Sequence, residues 1–294
     1  MPSGFRRLVI FCLLTSFAPL LVGSSAAESA PEVDNFTGDV IVTAVPSQKT
    51  FIQALFQAAG CEERFRVLSL LSNATDPERY SATPGDLELV RSAILLVQIG
   101  HAELVFEKRI EQALSFPADR LLRQSELIEA NHEDPHVWLS AEANIKMLEK
   151  VVVMVSSMHP ELADRLAEAE SKLKVMIKTE LQQFKEKLAL ASEKNFVVFH
   201  PAWGYLAEAL GLRQFHLEDH GKEPSPFALA RRIAEARQQG IHIVIVQPQF
   251  PRASAEALAK EIDARVFEIN PLDDSWFVML QKFSEVFLVG GDGR

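Results

Sequence analysis

One long stretch without glycine or proline constrains the fold of this 294-residue chain more than any other feature. It follows Pro160 and reaches Lys194, about 35 residues rich in Ala, Leu, Glu and Lys, which are strong helix formers. Apolar side chains recur at helical spacing in one stripe: Leu162, Leu166, Ala169, Leu173, Met176 and Leu181. A helix of this length spans roughly 50 Å, more than one small domain needs. We therefore predict a rigid strut between two lobes, although a coiled coil would fit the same stretch.

Strand and helix patterns alternate on both sides of this stretch. Before it, the β-branched run at residues 40–45 opens the alternation; after it, residues 196–199 and 241–247 read as strands between helical segments. Such βαβα alternation predicts an α/β fold with parallel sheets flanked by helices. We expect two similar lobes joined by one long backbone helix, with a cleft between them, because open α/β sheets bind ligands at the carboxyl ends of their strands.

The expected organisation has four segments. Residues 1–27 resemble a signal peptide, because Arg6 and Arg7 precede an apolar run that ends in small residues. A membrane anchor is the alternative, but the run is short for a span and contains Pro19. Residues 28–158 would form the first α/β lobe, residues 159–194 the linking helix, and residues 195–294 the second α/β lobe. We expect export to the periplasm with cleavage of the signal peptide.

Charge and cysteine content exclude several classes of protein. The formal net charge is −10, and loss of Arg6 and Arg7 with the signal peptide would take it to −12. Phosphate binding needs basic patches, so nucleic acid is not an expected partner. Cys12 lies in the signal segment, which leaves Cys61 as the one cysteine of the mature chain. An intramolecular disulfide is therefore impossible, and Cys61 reads as a partly buried structural thiol.

Two histidines stand at positions where a side chain can face the cleft. His136 follows a proline turn in "EDPHVWLS" and precedes a helical segment, and His200 ends the strand "NFVVFH". A single histidine at such a position is more often an ordinary hydrogen-bonded core or surface residue than a metal ligand. Together, with one in each lobe, they could bridge a divalent ion, which would need one or two further nitrogen or oxygen ligands.

Loops next to the strands offer the remaining candidates. Glu78 lies in the first lobe, and Asn270, Asp273 and Asp274 follow the last strand. On spacing alone, Glu78 reads equally as a solvated loop charge and either aspartate as a helix N-cap. His132 has i,i+4 spacing to His136, but the intervening proline argues against a regular helix, so it reads as a loop residue at the rim of the site.

The order of these motifs resembles the ZnuA-like family of periplasmic zinc- and manganese-binding receptors of ABC importers. The resemblance runs from "VIVTAV" to the last helix and rests on "DPHVWLS", "VVFHPAWGYLAEALGL", "KEPSPFALARRI", "QPQF" and "INPL". It implies that His136 and His200 are metal ligands. Two positions depart: Glu78 in "DPERY" stands where the family usually has histidine, and Asn270 where it usually has aspartate. Gln247 also replaces a frequent glutamate.

The resulting ligand set, His136, His200, Glu78 and Asn270, is richer in oxygen than three histidines. Such a set weakens the case for tight zinc binding and favours manganese or iron. The resemblance implies a monomeric receptor that captures a divalent transition metal ion, zinc or manganese, as transported ligand and passes it to an ABC permease in the inner membrane. It implies no enzymatic activity. The alternatives are a degenerate member that binds another solute or a protein and, less favoured, a metallohydrolase with Glu78 as base.

Overall fold

A computed structural model describes residues 36–129, 134–218 and 225–288. The predicted signal peptide, residues 1–27, and His132 lie outside these ranges. From Thr37 onward the described residues belong to one compact unit. Within the described ranges, every helix is too short or too polar to cross a bilayer.

The first half of the chain builds a parallel sheet from strands that alternate with helices. Its elements are β1 (Asp39–Thr43), α1 (Pro46–Ala58), β2 (Phe65–Ser69), α2 (Pro84–Ser92), β3 (Ala93–Gln98), α3 (Val105–Leu114), β4 (Leu121–Arg123) and α4 (Ala141–Met158). The strand order is β2-β1-β3-β4, and each neighbouring pair is parallel. The sequence did not predict β4, because three residues at a sheet edge carry no recognisable pattern.

The long helix α5 (Ala163–Ala189) then begins after a single 3-10 turn at Pro160–Leu162. It has 27 residues, fewer than the 34 of the glycine- and proline-free stretch at residues 161–194, because that stretch also supplies part of the turn before the helix and the loop after it. The predicted stripe is buried at Leu166, Ala169 and Leu173, but Ile177 is buried in place of Met176 and Leu181 is only half-buried. Beyond the predicted stripe, Phe184 and Leu188 are also buried.

The second half repeats the architecture of the first. Its elements are β5 (Asn195–Val198), α6 (Gly204–Leu210), β6 (Arg213–His216), α7 (Pro226–Gln238), β7 (Ile243–Val246), α8 (Arg252–Ile262), β8 (Arg265–Glu268) and α9 (Trp276–Leu288). The strand order β6-β5-β7-β8, again parallel, matches that of the first sheet. The predicted fold class, two similar α/β lobes with a long backbone helix, is confirmed.

The two sheets share most of one hydrophobic core. α5 packs against α1 and α4 from the first half and against α6 and α9 from the second. One cluster of buried side chains continues from Ile41 in β1 to Phe287 in α9, and a smaller cluster lies between β7 and α8. Trp138, Trp203 and Trp276 are fully buried within the larger cluster. The helix is therefore part of the core as well as a connection.

Candidate metal centre

Three of the predicted site residues meet at the carboxyl ends of the strands. The ligand atoms of Glu78, His136 and His200 all lie within 4.8 Å of one another. His200 Nε2 is 3.0 Å from His136 Nε2 and 3.2 Å from Glu78 Oε1, and His136 Nε2 is 4.0 Å from the same oxygen. Two imidazole nitrogens and a carboxylate oxygen at this spacing are a plausible ligand set for a divalent transition metal ion.

His136 is positioned by the turn that precedes it. The Asp134 Oδ1 atom accepts the backbone N–H of His136 at 3.0 Å and its Nδ1–H at 2.8 Å. The Val137–Leu139 segment then forms a 3-10 turn, after which Ser140 caps α4. Because Asp134 accepts a hydrogen bond from Nδ1–H, the proton stays on Nδ1 and the Nε2 lone pair of the imidazole faces His200 and Glu78.

A buried chain of amide side chains supports the turn that follows His136. Gln48 donates to Gln124, Gln124 donates to Asn144, and Asn144 donates to the Trp138 carbonyl, each at 2.8–2.9 Å. The Trp138 indole N–H in turn donates to the Pro271 carbonyl at 2.8 Å, which joins the two halves of the chain. A fully bonded buried network of this kind holds the His136 backbone in one place.

His200 is positioned by two neighbouring parallel strands. It lies two residues beyond the end of β5, and Glu218 lies two residues beyond the end of β6. The backbone pairing continues past the strands, since Glu218 N–H donates to the Phe199 carbonyl at 3.0 Å. Glu218 Oε2 thereby comes within 2.8 Å of His200 Nδ1. Both imidazoles therefore have a carboxylate on Nδ1 and direct Nε2 to the common point.

Gly204, at the start of α6, permits a close approach between the two halves. A Cβ atom at this position would lie 2.4 Å from Asp134 Oδ2, so a side chain there would displace the carboxylate that orients His136. The next residue, Tyr205, donates its hydroxyl to the Asp134 carbonyl at 3.2 Å. The motif "HPAWGY" thus carries one candidate ligand, His200, and also residues that contact Asp134, which orients His136.

The three groups line a cavity of about 30 Å³. A volume near one to two water-sized spheres suits a single ion or water molecule. The imidazole of His200 stacks on Phe250 with 5.8 Å between centroids, and that of His136 lies 5.1 Å from the Trp138 ring. Gln247, which follows β7, also lines the cavity, and its buried Nε2 has no hydrogen-bond partner among the described residues.

The electrostatic surroundings of His200 favour its protonated form. Burial alone would lower the pKa of His200, but hydrogen bonds to Glu218 and Glu78 outweigh burial and raise it to about 9. Burial alone would raise the pKa of Glu78, but its hydrogen bond to His200 and the nearby positive charge bring it below its ordinary value. In the metal-free protein, His200 is therefore an imidazolium between two carboxylates at neutral pH.

The structure gives Asn270 and Asp273 other partners. The Asn270 Nδ2 atom donates to the Asn73 carbonyl at 2.8 Å, and its Oδ1 accepts the Leu272 N–H at 3.0 Å. Asp273 accepts the Ser275 N–H and pairs with Lys282 at 2.8 Å before α9. Asn270 is absent from the residues that line the cavity, so its predicted role as fourth ligand stays a prediction.

Sequence reasoning missed the two carboxylates that orient the histidines. Asp134 stands two residues before His136, as expected for a side chain that bonds a backbone N–H two residues on, and this spacing was a usable signal. Glu218 lies two residues beyond β6, the strand that follows His200, at the same edge of the sheet. Its signal was weaker, because the neighbouring position of β5 and β6 had to be known first.

Comparison with known proteins gives one consistent result at the level of the family. The family described as "ZnuA: Zinc-uptake complex component A periplasmic" matches residues 41–285 of the chain. The High-affinity zinc uptake system protein ZnuA of Haemophilus ducreyi is 24% identical over 243 residues, which cover 69% of this chain and 76% of that protein.

Two further similarities differ in extent. The Zinc-binding protein AdcA of Streptococcus pyogenes serotype M6 is 30% identical over 148 residues, but the match covers 49% of this chain and 28% of AdcA. A crystal structure of a "138-173 ZnuA deletion mutant plus zinc bound" has a TM-score of 0.77 and 24% identity, and covers 87% of this chain and 99% of that chain. At 24% identity, the similarity to this crystal structure shows a shared fold.

Proposed function

The chain belongs to the ZnuA family of periplasmic zinc-uptake components, and on this premise we propose that Glu78, His136 and His200 bind its metal cargo. The protein is a metal-binding receptor of an ABC importer and not an enzyme. The observation that supports the three residues is their convergence, with all ligand atoms within 4.8 Å in a cavity of about 30 Å³. The carboxylates of Asp134 and Glu218 would hold both imidazoles in the tautomer that binds metal.

The chemistry of the three groups supports zinc or manganese as cargo. Imidazole nitrogen suits zinc, whereas a carboxylate oxygen also suits manganese, and Glu78 brings one negative charge into the site. A site with Glu78 in place of a third histidine should prefer zinc over manganese by a smaller factor than a site of three histidines would. Asn270 remains the predicted fourth ligand from the sequence, and its present hydrogen bonds would have to break before its oxygen could coordinate.

The cellular setting follows from the family at a coarse level. Proteins of this family are periplasmic and act with a membrane permease and an ATPase. We propose further that residues 1–27 form a cleaved signal peptide, that the partner permease lies in the inner membrane, and that the receptor is monomeric. α5 contacts helices of both halves, which supports release of the ion by small shifts rather than by wide opening of a hinge.

Calorimetric titration tests the proposed function directly. Zn²⁺ or Mn²⁺ added to chelator-stripped protein should bind at one ion per chain, since the cavity holds a single ion. Equilibrium dialysis with metal analysis of the retained protein gives an independent stoichiometry. Failure of both ions to bind would refute the proposal and favour the degenerate receptor, which would then be screened against other solutes. The metallohydrolase alternative has no support in the family.

Metal affinity should keep rising with pH to a higher pH than it would if the ligands titrated with the pKa of an ordinary histidine. Since His200 holds a proton with a pKa of about 9, metal must displace that proton at neutral pH. Affinity should fall about tenfold per pH unit between about pH 8.5 and about pH 6.5, with one proton released per ion bound. Titrations in two buffers with different ionisation enthalpies measure this release. Affinity that stays constant across this range would contradict the assignment of His200 as a protonated ligand.

A further inference from the structure

The carbonyl oxygen of Asn73 receives two amide donors from the opposite half of the chain. Asn270 Nδ2 donates to it at 2.8 Å and Gln249 Nε2 at 3.0 Å. Gln249 Nε2 also lies 3.2 Å from Asn270 Oδ1, so the two side chains are bonded to each other. Asn73 belongs to the loop between β2 and α2, whereas Gln249 and Asn270 follow β7 and β8. These contacts join the loop to the carboxyl edge of the second sheet.

The same loop carries Glu78. Its backbone is folded as successive turns, with Thr75 N–H donating to the Ser72 carbonyl at 3.2 Å and Glu78 N–H donating to Asp76 Oδ1 at 3.0 Å. These turns connect Asn73 to Glu78 through a short, folded segment of backbone. Beyond Glu78, the Tyr80 hydroxyl donates to Asp86 at 2.6 Å and ties the loop to α2 of its own half.

Both ends of the Asn270 amide are in use. Its nitrogen donates to Asn73, and its oxygen accepts from Leu272 and from Gln249. A carboxylate cannot replace this amide, because it has no N–H to donate to the Asn73 carbonyl oxygen. An aspartate here would direct negative charge at the Asn73 carbonyl and leave that oxygen with one donor.

We propose that Asn270 and Gln249 are positioning residues that hold the Asn73 carbonyl as an amide latch, and so fix Glu78 against His136 and His200. This inference rests on the proposed function, because Glu78 is positioned for the ion. The latch would also link release to the second lobe, since separation of the loop from Gln249 and Asn270 would withdraw one of the three ligands. Asn270 itself then lies outside the coordination sphere.

The substitution Asn270→Asp distinguishes a latch residue from a metal ligand, because the two roles predict opposite changes in metal affinity. A carboxylate ligand in place of an amide would bind a divalent cation more tightly. Loss of the latch should instead weaken Zn²⁺ and Mn²⁺ binding about tenfold, as expected for one or two hydrogen bonds and a new repulsion. Ala74→Asp adds the same charge at an exposed position of the same loop without removing a donor, and should not weaken binding.

The absorption spectrum of the Co²⁺-loaded protein reports the ligands themselves. If Asn270 belongs to the latch, Asn270→Ala should weaken metal binding. The visible absorption bands of the Co²⁺-saturated variant should keep their shape, because the coordinating atoms are unchanged. Gln249→Ala should likewise weaken metal binding and leave the shape of the Co²⁺ bands unchanged. Tighter binding by Asn270→Asp, or changed Co²⁺ bands in Asn270→Ala, would overturn the latch and make Asn270 a ligand.

Hydrogen exchange of the metal-free protein tests the latch even if no metal binds. Backbone amides of residues 72–80 should exchange about five- to tenfold faster in Asn270→Asp and in Gln249→Ala, in proportion to the hydrogen bonds lost. Ala74→Asp again serves as the control. Unchanged exchange in both variants would refute the latch, whereas failure of wild-type protein to bind metal would refute the proposed function alone.

Discussion

Replacement of both histidines, His136→Ala with His200→Ala, should reduce the affinity for Zn²⁺ and Mn²⁺ at least about 1,000-fold, because even outer partners of metal ligands typically contribute about 10–100-fold each. The two Nε2 atoms lie 3.0 Å apart and would supply both nitrogen donors of the proposed site. Glu78 alone could hold an ion only as a partly exposed carboxylate. Competition with a chromophoric chelator measures affinities across this range.

The control for this variant is His242→Ala. His242 is exposed at the amino end of β7, the edge of the sheet opposite the site, and should leave metal affinity unchanged. The double variant leaves Asp134 and Glu218 without their imidazole partners, so near-ultraviolet circular dichroism must establish that it is folded. Affinity within tenfold of wild type in a folded double variant would exclude both histidines as ligands.

Replacement of Glu78 by alanine should have the second largest effect. The substitution removes an oxygen donor and a negative charge 3.2 Å from His200 Nε2, and we expect Mn²⁺ affinity to fall at least about 100-fold, beyond the usual contribution of an outer-shell group. Zn²⁺ should lose less, since two imidazoles remain and zinc accepts nitrogen readily. Glu78→His should therefore raise the ratio of zinc to manganese affinity above that of wild type.

The pH profile gives a second signature of Glu78. Its hydrogen bond helps to hold the proton on His200, so Glu78→Ala should lower the pKa of His200 and reduce proton competition at neutral pH. The loss of affinity should consequently be larger at about pH 8.5 than at about pH 6.5. Glu88→Ala, which removes an exposed charge from α2, is the matched control. Equal affinity of Glu78→Ala and Glu88→Ala would remove Glu78 from the site.

The fold could be predicted from local patterns because each strand and helix is specified by a few consecutive residues. The runs at residues 40–45 and 241–247 are apolar and β-branched, and the helices between them have their own apolar stripes. β4 was missed, since Leu121–Arg123 is specified by its pairing with β3 rather than by its own composition.

The convergence of Glu78, His136 and His200 was predictable in part for a different reason. His136 and His200 occupy recognisable motifs, and Glu78 was named although its spacing alone favoured a loop charge. The partners of Asn270 were not predictable, because Asn73 is 197 residues away and its contribution is a backbone carbonyl, which has no sequence signature. Which polar groups coordinate and which support them depends on how the two sheets face each other.

The continuous core has a consequence for how the whole molecule responds to its ligand. Because buried side chains from Ile41 to Phe287 form one cluster, neither half can lose its part of this cluster without exposing the interior of the other. Unfolding should therefore proceed as a cooperative event across both halves. An ion held between the sheets would then raise the melting temperature of the entire receptor, in proportion to the logarithm of its free concentration once that exceeds the dissociation constant. The melting temperature would thus report how much of the receptor holds an ion.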